Sequence, residues 1–307
     1  MAKLILGPED IGYWKWAKSH ACVPTALLID DFIRIYFAPR NDAGQSIPVF
    51  VDITPETFEI IRFGDPILDL GEVGTFDDGG IMPCSVVKTE DRIFMYYVGW
   101  NPGVSVPYRN AIGLCVSDDN GVSFHRLHQG PVVGRNTHEP FFTASPEVVF
   151  DDGHWKMWYA SSTGFVETAN GYSPLYHIKL ATSRDGIHWE RPNISCISPS
   201  RPHECTARPS VLKEGNKYRM WYCHRGSFDY RDGNESYQIG YAESEDGQNW
   251  NRNDDDIGFN VGSSEHDNLM TCYPNVLRLN QTLAMFYNGN SFGKNGILAV
   301  SSEEAPN

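Results

Sequence analysis

No stretch of this chain approaches the roughly 20 consecutive apolar residues that carry a helix across a bilayer, so a membrane-spanning helix is not expected. Positive charge is scarce: 25 Lys and Arg stand against 39 Asp and Glu, a formal net charge of -14. That balance argues against a nucleic-acid backbone or an anionic membrane as the main partner. The first residues, Met1 to Asp10, hold too short an apolar run for a secretory signal and meet acids at once. Seven cysteines, an odd number scattered mostly within apparent strands, suit reduced thiols in the cytoplasm better than a disulfide frame. Neither a glycine-rich phosphate loop nor a zinc-binding spacing is found, so no cofactor and no metal is expected.

What the chain does have is a repeat. Five times a proline opens an apolar strand, and about eleven residues later a second strand reaches an aromatic centre. The copies are Pro24 with Ile35-Tyr36-Phe37, Pro83 with Met95-Tyr96-Tyr97, Pro146 with Met157-Trp158-Tyr159, Pro209 with Met220-Trp221-Tyr222 and Pro274 with Met285-Phe286-Tyr287. A third strand follows and, in two copies, runs into the turns Ser183 to Trp189 and Ser244 to Trp250, both of the form Ser-x-Asp-Gly-x-x-Trp. Ser117 to Phe124 is the same turn with one residue inserted. A period of roughly 50–65 residues built only of short strands predicts a radial all-β architecture. The expected fold is one five-bladed β-propeller of four-stranded antiparallel blades, over roughly 17–70, 71–134, 135–198, 199–260 and 261–307. The aromatic centres are expected to pack between blades, and the turn tryptophans to pack outward. The last blade lacks a fourth strand, and an open edge invites pairing. The N-terminal segment, through Lys3-Leu-Ile-Leu6 or Tyr13-Trp-Lys-Trp16, is expected to close the ring.

In such a ring the residues before each repeat proline and the loops after each second strand converge on one mouth of the central channel. Five residues before the proline stand Asp78 in blade 2 and Glu204 in blade 4, against Ser19, Phe141 and Leu269 elsewhere. Two carboxylates facing each other across the mouth would suit glycosidic bond cleavage, which needs a protonated acid and an ionised base or nucleophile. Loop capping is the plain alternative for both. Asp77 is a further candidate base, and Asp267 a third acid that could hold a sugar hydroxyl. The loops add His20, Arg40, Trp100, Asn101, Arg109, His177, His203, Arg208, His224, Arg225, Arg231 and Asn288 as candidate substrate-binding residues. Aromatic faces stack on sugar rings, while Asn and Arg forks read hydroxyls or anionic groups. The basic residues of blade 4 suit a carboxylate, phosphate or nucleotide-linked substrate.

With its fivefold repeat, its Ser-x-Asp-Gly-x-x-Trp turns and its acids ahead of innermost strands, the chain resembles the five-bladed β-propeller carbohydrate-active enzymes. These are the arabinofuranosidase and xylosidase-like, invertase-like and mannoside-phosphorylase-like proteins. The resemblance covers nearly the whole chain and implies an acid/base pair around a sugar pocket, carried over here to Asp78 and Glu204. Glu204-Cys205 is similar to the Glu-Cys of invertase-like enzymes. The catalytic Asp that such enzymes place at the start of blade 1 is missing from Ala17 to Pro24. The expected function is therefore a glycoside hydrolase acting on a carbohydrate. Transfer or phosphorolysis of a phosphate- or nucleotide-activated sugar, and sugar binding without catalysis, are the alternatives.

Overall fold

A computed structural model describes residues 2–169, 171–231 and 233–303. These residues form five four-stranded antiparallel sheets, each running from an innermost to an outermost strand. The innermost strands are Ser19–Ile29, Gly80–Lys88, Thr143–Asp151, Cys205–Glu214 and Cys272–Leu279. The chain is thus the five-bladed propeller that its repeat predicts. The fifth sheet is completed from the other end of the sequence, where Lys3–Leu6 pairs antiparallel with Ile297–Glu303. The second candidate for closure packs elsewhere. Trp14 is buried against Phe37 and Phe63, and its indole donates to the Gly64 carbonyl at 2.7 Å.

Every innermost strand breaks register at its proline, between Cys22 and Thr25, Pro83 and Ser85, Ala144 and Glu147, Ala207 and Ser210, and Cys272 and Asn275. Proline has no N–H to give to a ladder, so a bulge is where a strand tolerates it. Four residues ahead of these prolines lie in the left-handed region: Val23, Ser145, Arg208 and Tyr273, with φ of 58°, 47°, 48° and 56°. That conformation costs a residue with a side chain on the order of 1–3 kcal/mol, and it persists only where the surroundings enforce it.

Directly after the bulge each blade carries a buried polar residue: Thr25, Ser85, Glu147, Ser210 and Asn275. Four of them accept the backbone N–H of the next blade's innermost strand. Ser85 takes Val148 N at 2.9 Å, Glu147 takes Val211 N at 3.2 Å, Ser210 takes Val276 N at 2.9 Å and Asn275 takes Ala26 N at 2.8 Å. The innermost strands have no ladder partner on the channel side, and this ring satisfies donors that would otherwise be buried unpaired.

The aromatic centres divide their work. The middle residue reaches the next blade's turn: Tyr36 donates to Gly121 O at 2.9 Å, Tyr96 to Gly186 O at 2.7 Å and Trp158 to Gly247 O at 2.7 Å. In the turns, Ser183 and Ser244 accept the glycine N–H at 3.0 and 2.8 Å, while Asp185 and Asp246 each accept two following amides. The turn tryptophans do not pack outward. Trp189 lies edge-on to Tyr96 and Trp250 to Trp158, at 5.9 Å each, because the preceding blade offers an aromatic face to bury them.

Candidate functional site

The bulged strand starts and the second-strand loops open on a common pocket of about 500 Å³, to which all five blades contribute. Aromatic walls come from Trp100, Tyr108, Phe142, Tyr176, Tyr230, Tyr237, Tyr273 and Phe292. The basic residues at its surface are His20, Arg40, Arg231 and Lys294, and none of the lining residues is Asp or Glu. In a chain with 39 acids and 25 lysines and arginines, that lining runs against composition. Trp100 is held by its indole N–H, which donates to Ser46 Oγ at 2.8 Å. Behind the wall lies Arg225, 1% exposed, whose Nε donates to Tyr176 Oη at 2.9 Å and Tyr237 Oη at 3.2 Å. Its guanidinium also lies 3.8 Å from the Tyr230 ring centroid.

Arg208 is fully buried in the ring of innermost strands. It donates to Pro24 O at 3.0 Å and Thr25 Oγ1 at 3.2 Å, and lies 3.9 Å from Glu147. It therefore braces blade 4 against blade 1 and does not line the pocket. Burial pushes the Glu147 carboxyl up to about 7, against the pull of Arg208. Glu147 escapes a reading aimed at the loops, although its place directly after Pro146 marks it as a channel residue.

The sequence-chosen carboxylates do not line this pocket. Asp77 is fully buried, accepting from Tyr97 Oη and Arg126 Nε at 2.9 Å each. Asp78 caps its own loop by accepting the Gly74 N–H at 2.8 Å. Glu204 takes both arms of Arg252 at 2.8 Å, with His224 Nδ1 at 3.4 Å and the Ser200 N–H also on it. Burial would raise the Glu204 carboxyl, but hydrogen bonds from Arg252, His224 and Ser200 outweigh it and hold it well below the usual carboxylate range. Asp267 likewise accepts from Tyr287 Oη at 2.6 Å and the Gly262 and Ser264 N–H groups at 2.7 Å.

These are copies of one clamp. In blade 3, Glu139 is bound by Tyr159 Oη at 3.0 Å, Ser161 Oγ at 2.6 Å and Arg191 at 2.9 Å. In blade 4, Arg252 Nε joins Asp254 at 2.6 Å, and Tyr222 Oη donates to Asp254 at 2.6 Å. Arg126, Arg191 and Arg252 each stand two residues after the aromatic that ends the turn, a spacing present in the sequence. Blade 1 has no such acid and carries Phe37 where the other four blades carry tyrosine. Counting a fixed five residues back from the proline finds only Asp78 and Glu204, because the acids sit five to seven residues back according to loop length.

Of the remaining candidates, His20, Arg40, Trp100 and Arg231 line the pocket. Asn288 is fully buried: its amide accepts Val23 N at 2.9 Å and donates to Ala21 O and Gly296 O at 2.8 Å each, sewing blade 5 to blade 1. Asn101 bonds Thr75 O at 3.1 Å, Arg109 is exposed in the hairpin opposite it, and the His203 ring packs edge-on to Phe228. His177 faces a separate outer depression with His138, Lys179 and Asn193. The seven thiols are buried, Cys22 and Cys84 at the pocket floor. Burial raises both of these to about 11.

No protein-family model matches the chain. It is 36% identical over 295 residues to the uncharacterized protein MT1551 of Mycobacterium tuberculosis, covering 94% of this chain and 95% of that protein. The uncharacterized protein Rv1502 of the same organism matches with the same identity and coverage. Among solved structures, a glycoside hydrolase superposes with a TM-score of 0.74 at 16% identity, covering 93% of this chain and 88% of that one. A thermostable family-43 glycoside hydrolase gives 0.68 at 15% identity, with 94% of each chain covered. A mutant GH32 β-fructofuranosidase of Bombyx mori in complex with sucrose gives 0.62 at 16% identity, covering 92% of this chain and 61% of that one. The fold is that of a glycoside hydrolase-like propeller, as the repeat and its turns suggested.

Proposed function

This chain belongs to the family of the uncharacterized Mycobacterium tuberculosis proteins MT1551 and Rv1502, and we propose that it is a glycoside-processing enzyme whose sugar sits in the mouth pocket. The lining of that pocket carries the reading: aromatic faces from blades 2 to 5, with side-chain donors between them and no carboxylate. Hydrolysis by paired acids asks for a protonated carboxyl at the scissile bond. Glu204 is held ionised in its clamp and Asp78 caps a loop. The arrangement favours transfer of a glycosyl group from a phosphate- or nucleotide-activated donor, because a phosphate leaving group departs without being protonated, whereas hydrolysis and phosphorolysis of a glycoside both expel a sugar hydroxyl that needs a proton. The unpaired thiols suit a reducing compartment, in keeping with a cytoplasmic enzyme.

A panel of glycosides and saccharides, followed by thermal shift and tryptophan fluorescence, tests this. Saccharides that stabilise the wild type are expected to lose about tenfold or more in affinity with Trp100→Ala, the loss of one stacking face. Asp78→Asn and Glu204→Gln should still bind. Release of reducing sugar by the wild type that disappears in both carboxamide variants would favour the hydrolase instead.

A further inference from the structure

We propose that the seam between blades 5 and 1 is the subsite for an anionic group on the sugar, a phosphate or a carboxylate, cradled by His20, Arg40 and Lys294. The proposal rests on the mouth pocket being the sugar site, and it names the chemical class of that sugar. The three side chains come from two segments: one is the start and return of blade 1's first hairpin, the other the turn at 290–294. Both segments are bent into unusual backbone. His20 has φ of 65°, and Ser291 and Phe292 lie consecutively at 63° and 57°, positions that residues with side chains seldom occupy. The bends are locked together. Asn288 makes two hydrogen bonds across the seam, with Val23 N and Ala21 O, and the Cys22 thiol donates to Phe292 O at 3.0 Å.

The cations so placed have no counter-charge. Among the described residues neither Arg40 nor Lys294 forms an ion pair, and Arg40 Nε is buried without any hydrogen-bond partner. A buried donor left unsatisfied costs on the order of 1–3 kcal/mol, which an oxyanion would relieve. The His20 Nδ1 already has Ser19 Oγ at 2.7 Å, and the charges that act on the ring are Arg40 and Lys294. Burial, then Arg40, then Lys294 lower this imidazole to about 4. An anion in the cradle offsets the charge of Arg40 and Lys294 at the ring, so the His20 imidazole titrates at a higher pH in the complex than in the free protein. Trp100, Tyr108 and Phe142, which line the same pocket, are left for the sugar ring.

Calorimetry on the full chain, with inorganic phosphate, glucuronate and a neutral methyl glycoside as probes, tests the cradle. Phosphate or glucuronate is expected to bind the wild type, the preferred probe telling phosphate from carboxylate. Affinity should fall with added salt and drop about tenfold or more in Arg40→Gln and in Lys294→Gln, the loss of one charge-assisted hydrogen bond. Lys294 is exposed, so its variant keeps the fold if Arg40→Gln does not. The His20 imidazole resonance, assigned by its absence in His20→Gln, should titrate at higher pH in the complex. Failure of both anions while the neutral glycoside binds overturns the cradle and leaves the sugar pocket standing. Anion binding that both variants retain at wild-type strength also overturns it. Failure of all three probes counts against the cradle and the pocket together.

Discussion

At Glu204, two arms of one arginine, an imidazole and a backbone amide converge on a carboxylate whose side chain is 1% exposed. Removing one partner of a buried pair leaves the other uncompensated. Because Arg252 is partly open to solvent, Glu204→Gln should cost about 2–3 kcal/mol in chemical denaturation rather than the larger cost of a fully buried pair. The sign with pH follows from the depressed carboxyl. Its stabilisation is fully present above the unfolded-chain value of about 4.3 and is lost as pH falls toward the lower folded-state value. Wild type should therefore lose stability on acidification below about pH 4, and Glu204→Gln should show a flatter curve over that window. At this scale the sequence was legible by residue type but not by partner. The acids were visible, while Arg126, Arg191 and Arg252, which decide their role, stood some 50 residues away and meet them only once the blade folds.

Strands carried the clearest signal, since the proline openings, the aromatic centres and the Ser-x-Asp-Gly turns each satisfy a local physical need. The bulge, the polar ring behind it and the turn-to-blade hydrogen bonds were implicit in the same positions, yet they depend on which blade neighbours which. Closure by the N-terminal segment was readable because the fifth repeat ends a strand early, whereas the choice of Lys3–Leu6 over Tyr13–Trp16 is made by the strand pairing. Removing residues 1–7 should therefore uncover the edge of Ile297–Glu303 and produce a lower melting temperature with concentration-dependent association, read by scanning calorimetry and size-exclusion chromatography. A melting temperature and monomer peak like those of the full chain would show that the strand is dispensable. The blade 5 to blade 1 joint makes a second element-scale prediction. Asn288→Ala deletes three buried hydrogen bonds and strands their backbone partners, for a loss of about 2–4 kcal/mol by denaturant titration.

Taken whole, the molecule is an acidic propeller that gathers unpaired basic side chains and aromatic rings around one opening and keeps its conspicuous acids in clamps between strands. Composition pointed away from polyanions as partners, and the pocket makes a local exception to the global charge. Net charge averages over the surface, whereas a site is set by which few residues the bulged strands turn inward. The pocket's location followed from the ring topology, but its lining did not, because His20 and Lys294 lie at opposite ends of the chain. The most direct test of the account is a comparison of saccharide affinity, by calorimetry, in Trp100→Ala and in the Asp78→Asn/Glu204→Gln double variant. A loss of tenfold or more in the first, with wild-type affinity in the folded fraction of the second, is the result expected. The reverse, binding that survives without Trp100 and vanishes with the two carboxylates, would place the sugar between Asp78 and Glu204 and contradict the account.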